Sequence, residues 1–303
     1  MKPARAQAIL AALLAPALLL ACHQAERGAA GPAADQSLDF GGTSRPYLVY
    51  APTARPAHPA LLLVLHGWQG SASEIEARTN YRFDRLADRE GFVVAYPDAV
   101  GGQWHSGHPA ETATSDDVGF LSALIDSLAR TYAVDPQRIY VTGYSNGASM
   151  TYRLACERPD RIAAIAPVSG ALAGSLMQAC ADRSRRPIPL LIIHGTADPE
   201  ISFTGPELEG NLAYWGRRNG CATESPATSW LPDTNPADGT RTRVLHYAGC
   251  RAGADVILYA IEGGGHHWPN GDEPFRAQPR GNIPRDFDGA DVIWAFLRAH
   301  RQQ

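Results

Sequence analysis

Gly143-Tyr144-Ser145-Asn146-Gly147 puts a serine between two glycines, directly after an apolar run and before a helical stretch. In that G-x-S-x-G pattern the glycines permit a sharp strand-to-helix turn, which lifts the hydroxyl above the sheet edge. The helix start behind it offers a positive dipole end and the Asn146 N–H. A serine at its ordinary pKa is a weak nucleophile, so a base and an orienting acid should follow in the order Ser, Asp/Glu, His. His194-Gly195-Thr196-Ala197-Asp198-Pro199 and Gly263-Gly264-Gly265-His266-His267-Trp268-Pro269 meet that order, each just past a predicted strand. Ser145, Asp198 and His266 are therefore the candidate nucleophile, acid and base, with His267 the rival base. Asp116 and Asp117 precede the serine and suit a helix start better. The loop His66-Gly67-Trp68-Gln69-Gly70 follows an early strand, so the N–H groups of Trp68 and Asn146 are the candidate oxyanion donors. The chemistry implied is acyl transfer to serine. Trp104, Trp268 and His267 are candidate substrate contacts, the indoles as flat stacking faces.

Strands are expected over Arg45–Tyr50, Ala60–Leu65, Phe92–Tyr96, Arg138–Thr142, Ile162–Ala166, Pro189–Ile193 and Val256–Ile261. Helices are expected over about Ser71–Arg89, Asp116–Tyr132, Asn146–Glu157 and Asp288–His300. The second carries Val118, Leu121, Leu124, Ile125 and Leu128 at the spacing of one buried face. This alternation predicts an α/β fold, a mostly parallel sheet with helices on both faces. Residues 38–303 read as one catalytic domain without a large cap domain. Ala222–Thr242, rich in Pro, Thr, Asp and Ser, reads as a surface insertion.

The start of the chain reads as an address. Lys2 and Arg5 precede an uncharged run from Ala8 to Ala21, too short to span a bilayer and interrupted by Pro16. Residues 1–21 are thus expected to be a secretory signal. Leu19-Leu20-Ala21-Cys22 also resembles a bacterial lipobox, which would make Cys22 a lipidation site in the cell envelope, with 22–37 a flexible tether. An ordinary cut with secretion or periplasmic release is the other reading. Four further cysteines, Cys156, Cys180, Cys221 and Cys250, suit two disulfides in an exported chain. Sequential pairing closes the shorter loops. A zinc site has only His246 and Cys250 at a plausible spacing, so no metal is expected.

Composition excludes several classes. Lys2 is the one lysine, which removes Schiff-base and P-loop chemistry. The net charge of −4, without a basic block, argues against a nucleic-acid partner. No cofactor is expected. The expected partner is an ester substrate, small or carried on a polysaccharide or polyester. Membrane contact is confined to the lipid on Cys22, and the chain is expected to be monomeric.

The blocks LHGWQGSA (65–72), AYPDAV (95–100), DDVGF (116–120), DPQRIYVTGYSNGA (135–148), HGTADP (194–199) and GGGHHWP (263–269) occur in one order. Together they resemble the poly(3-hydroxybutyrate) depolymerase family, which overlaps with feruloyl and acetylxylan esterases of the α/β-hydrolase fold. The resemblance implies Ser145, Asp198 and His266 as a triad and a disulfide between Cys221 and Cys250. The sequence departs from relatives at Trp68-Gln69-Gly70, where Cys-Thr-Gln is frequent, and at His267, where Thr is. Polymer depolymerases of that family carry a linker and a binding domain, whereas this chain ends at Gln303. Soluble esters are therefore expected: feruloyl or acetyl groups on polysaccharide, or hydroxyalkanoate oligomers. The alternatives are a polyhydroxybutyrate depolymerase proper, a serine peptidase on the same fold, and an inactive envelope-binding lipoprotein.

Overall fold

Leu61-Leu62-Leu63-Val64-Leu65 is buried at every position, as a strand must be when helices cover both faces of its sheet. Leu61, Leu63 and Leu65 enter one core with Phe120, Leu124, Met150 and Trp215. By strand alternation, Leu62 and Val64 face the opposite layer. The computed structural model describes residues 33–183, 186–222, 226–272 and 280–302.

Among the described residues are ten strands in one sheet. They are β1 (Ala34–Phe40), β2 (Thr43–Tyr50), β3 (Leu61–Leu65), β4 (Val93–Pro97), β5 (Ile139–Tyr144), β6 (Ala164–Val168), β7 (Leu190–Gly195), β8 (Ala227–Trp230), β9 (Arg241–Tyr247) and β10 (Val256–Glu262). Their order is β1-β2-β4-β3-β5-β6-β7-β10-β9-β8. The six strands from β4 to β10 run parallel, and an antiparallel pair flanks each side. Seven helices are described: α1 (Ala72–Arg78), α2 (Arg82–Glu90), α3 (Asp117–Tyr132), α4 (Asn146–Glu157), α5 (Gly174–Arg183), α6 (Leu208–Asn219) and α7 (Gly289–Leu297). On one face α2 packs on α7; on the other α4 packs on both α3 and α5.

Three sequence expectations are corrected. The tether expected over 22–37 is cut short, because β1 begins at Ala34 and pairs with β2 from Ala34↔Val49 onward. The single helix expected over Ser71–Arg89 is two, broken at Asn80 and Tyr81, which both take left-handed φ, 53° and 54°. No glycine or proline marks that break. The turn is held instead by Asn80, whose Nδ2 donates to Asn270 O at 2.9 Å. The insertion expected over Ala222–Thr242 contributes β8 to an edge hairpin, with Trp230 opposite Arg243. Cys22 and the expected signal lie outside the described residues.

Polar contacts tie the layers together. Asp116 caps α3, its carboxylate accepting Gly119 N–H at 2.8 Å. Asp117 is instead a buried partner of Arg45 at 2.8 Å and also accepts His105 N–H. Cys156 is bonded to Cys180 and Cys221 to Cys250. The first joins the end of α4 to α5. The second takes Cys250 out of any zinc set, and His246 pairs with Asp255 at 2.7 Å.

Beneath α1 and α2, Asp84 hydrogen-bonds Glu76 and accepts Tyr96 O–H at 2.7 Å. Burial pushes the Asp84 carboxyl up to about 8 against the pull of the Tyr96 hydrogen bond, and the Glu76 charge adds to the rise. Burial raises Glu76 as well. Such a carboxyl binds its proton more tightly folded than unfolded. Its stabilisation is present below about pH 4 and is lost as the pH climbs through 8. Asp84→Asn keeps a donor for Glu76 and an acceptor for Tyr96 without the charge. It should raise the melting temperature at pH 9 by about 2–4 °C and flatten the decline between pH 4 and 8, read by thermal scans. Removing either disulfide by paired Cys→Ser changes should cost about 3–4 kcal/mol in urea unfolding, since the closed loops span 24 and 29 residues.

Candidate active site

The parallel strands deliver the candidate residues to one edge. Trp68 follows β3, Ser145 follows β5, Asp198 follows β7 and His266 follows β10. All four lie past carboxyl ends, where open α/β sheets form their crevices. Ser145 sits between β5 and α4 at φ 56°, ψ −117°, a conformation costly for a residue with a Cβ. The flanking glycines make it possible by close approach. A Cβ on Gly147 would meet the carbonyl oxygens of Leu65 and His66 at 2.4 Å, and one on Gly143 would meet Gly147 O at 2.5 Å.

Ser145 Oγ lies 2.8 Å from His266 Nε2, and His266 Nδ1 lies 2.7 Å from Asp198 Oδ2. The other Asp198 oxygen accepts Glu200 N–H at 2.8 Å and Ile201 N–H at 2.9 Å. Burial would raise the Asp198 carboxyl. The hydrogen bond and charge of His266, helped by the Ile201 N–H, outweigh it and hold the group below its ordinary value. Asp198 thus stays ionised and keeps the proton on His266 Nδ1, leaving Nε2 to face the hydroxyl. The acid and base loops are laced directly, Ala197 N–H donating to Gly264 O at 2.9 Å. Tyr144 O–H donates to His266 O at 2.6 Å, and His266 N–H to Arg280 O at 2.8 Å.

Two further histidines are held neutral by burial. His66 Nε2 accepts Ala99 N–H at 3.0 Å, so Nδ1 carries the proton it gives to Gly67 O. His194 donates from Nε2 to Ile201 O at 2.9 Å, beside Asp198. The first braces the turn carrying Trp68, closed by Gly70 N–H to Gly67 O at 3.0 Å. Asn146 opens α4, so its own N–H has no acceptor within the helix. Its side chain grips the backbone of Trp104 in both directions, at 2.7 and 3.1 Å, and gives a second N–H to Glu111.

The expected substrate contacts are corrected. Trp104 is fully buried and spends its indole N–H on His66 O at 3.0 Å. Trp268 is buried edge-on against Phe83. His267 is buried and directed to Gly281 O at 3.0 Å. None presents a face to a ligand. The exposed aromatic beside Ser145 is Trp68, 51% accessible. It borders a shallow cleft with Gly67, Glu74, Arg78, Tyr144, Glu200 and Arg280. Sequence reasoning passed over these last residues. Tyr144 lies inside the G-x-S-x-G motif and Glu200 adjoins HGTADP, but Arg280 stands 14 positions after His266 with no local signal.

Residues 46–195 match the family model described as esterase PHB depolymerase. The chain is 32% identical to a putative esterase, NocK, of Nocardia uniformis over 84% of this chain and 80% of that protein. It is 28% identical to a bifunctional acetylxylan esterase/xylanase of Neocallimastix patriciarum and 30% identical to feruloyl esterase B of Piromyces equi. Those matches cover 74% and 68% of this chain, which spans 31% and 39% of the two relatives. Among solved structures, an acetyl xylan esterase from Aspergillus awamori superposes with a TM-score of 0.60 at 22% identity, over 77% of this chain and 94% of that one. A thermostable esterase does so with a TM-score of 0.56 at 16% identity, over 89% and 64%. The fold is that of the α/β-hydrolases, and the chain belongs to the esterase PHB depolymerase family.

Proposed function

We propose that the chain is an exported serine esterase that cleaves carboxylic esters through a covalent acyl-enzyme. The observation that carries this reading is the unbroken run from Ser145 Oγ through His266 to Asp198, at 2.8 and 2.7 Å. His266 Nε2 takes the hydroxyl proton as Ser145 attacks the ester carbonyl, and Asp198 stabilises the imidazolium. The Trp68 and Asn146 N–H groups receive the developing oxyanion. The imidazolium then protonates the departing alcohol, and a water activated by His266 releases the acid. Each of these steps uses groups the chain itself supplies.

The substrates proposed are feruloyl or acetyl esters of polysaccharides, or hydroxyalkanoate oligomers. Relatives named feruloyl esterase, acetylxylan esterase and poly(3-hydroxybutyrate) depolymerase support that range. The exposed face of Trp68 suits an aryl acyl group or a sugar ring. Two disulfides suit an oxidising compartment outside the cytoplasm. Lipidation of Cys22 in the envelope belongs to the same proposal, as does action as a monomer.

Ser145→Ala should lower kcat on methyl ferulate at least about 10⁴-fold and abolish labelling by an active-site phosphonate. Asp198→Asn should lose about 10³–10⁴-fold with the fold intact by circular dichroism, because the neutral amide no longer fixes the imidazole tautomer. Turnover of the Ser145→Ala protein at the wild-type rate would reject the mechanism. Trp68→Ala should lower kcat/KM for methyl ferulate about tenfold more than for methyl acetate, a difference that vanishes if the indole is not the aryl wall.

A further inference from the structure

Glu200 stands two residues past Asp198 and lines the cleft that holds Ser145. Its Oε1 pairs with Arg280 Nε at 2.7 Å, and its Oε2 lies 3.5 Å from His266 Nε2. Arg280 is itself buried and donates from Nη1 to Tyr144 Oη at 3.1 Å, while Tyr144 holds the His266 carbonyl. The guanidinium thus fixes the carboxylate from behind, and one oxygen is left facing the working nitrogen of the base. The acyl-transfer steps above make no use of that oxygen.

The chemistry at His266 says what passes beside it. When the tetrahedral intermediate collapses, the bond from carbon to the leaving oxygen breaks and its electron pair stays on that oxygen. The oxygen takes the proton carried on His266 Nε2, so it must come within hydrogen-bond reach of that nitrogen. Glu200 Oε2, 3.5 Å from the same nitrogen, is a polar atom within reach of a substituent on the carbon next to the esterified one. An ionised carboxylate accepts hydrogen bonds and donates none, so the group it selects is a donor. We propose that Glu200, set by Arg280, is a specificity-determining residue that reads a hydroxyl on the carbon adjacent to the esterified carbon of the alcohol, the vicinal arrangement of sugar rings. This inference rests on the serine esterase reading and narrows its alcohol side to polyols.

The matched probes are trans-2-hydroxycyclohexyl acetate and cyclohexyl acetate, which share the acyl group and the ring and differ by the hydroxyl. Because both pass through the same acetyl-enzyme, the difference between them falls on kcat/KM. The purified wild-type protein should prefer the hydroxy ester about tenfold. Glu200→Ala should bring that ratio to within about twofold of unity, and Glu200→Gln should retain part of it through its amide oxygen. A preference that survives Glu200→Ala overturns the proposal. So does a variant that loses rate equally on both esters, since Glu200 would then serve the base or the water alone. Ser145→Ala distinguishes a deeper failure: continued turnover of both esters would overturn the serine reading and this inference with it, whereas a flat ratio with a dead Ser145→Ala protein removes this inference alone.

Discussion

The close approach of α4 to β3, through Gly147, is the constraint on which the site depends. Ser145 holds a backbone conformation that costs of order 1–3 kcal/mol, and such strain persists only when the surroundings over-determine it. Here the surroundings are specific. Ser145 N–H is bound to Val168 O at 3.0 Å, and Ser145 O accepts Ser149 N–H at 3.0 Å, so both ends of the elbow are committed before the side chain is placed. The missing Cβ at Gly147 lets the first turn of α4 sit on the carbonyls of Leu65 and His66. The loop of Trp68 continues from those same carbonyls. Ser145 and the loop of Trp68 are therefore placed by one contact.

The base arrives from the far side of the sheet, and its placement has a different origin. β7 and β10 are parallel neighbours, so their following loops leave side by side. The loops then bond to each other, and residues 280–282 close over the base through His266 N–H to Arg280 O and Gly265 N–H to Asn282 O at 2.9 Å. A Cβ on Gly265 would strike Arg280 O, which is why this crossing admits no side chain. Electrostatics completes the arrangement. His194, 3.6 Å from Asp198, is buried as a neutral ring, so it does not compete as a cation for that carboxyl, which His266 holds below its ordinary value.

Much of this was legible in the residues, and the limits follow from physics. β3, β4, β5 and β7 could be read because strands buried on both faces are continuous apolar runs. The edge strands could not: all four residues of β8 are exposed, so they carry no hydrophobic alternation to detect. β1 is likewise exposed over Ala34–Ser37, and its residues read like the Ala/Gly-rich sequence before them. The break between α1 and α2 is made by left-handed Asn80 and Tyr81 and a hydrogen bond to residue 270, a long-range cause with no local trace. Ser145, Asp198 and His266 could be picked out together because each follows a parallel strand, and the structure brings the three side chains within hydrogen-bond distance of one another in turn.

The tryptophans show where residue type alone misleads. Trp268 stands two residues past His266 and Trp104 lies in the loop after β4, and both are buried. Trp104 donates to His66 O and lies tilted against the His66 ring, centroids 5.1 Å apart, so it stiffens the loop of Trp68 from within. Trp68 is half exposed on a tight turn whose next residue, Gln69, takes φ 58° and anchors its N–H on Gly102 O at 2.8 Å. The turn holds that side chain at the cleft beside Ser145. The turn after β3 thus brings an exposed indole to the cleft, while Trp104 and Trp268 serve the frame around it.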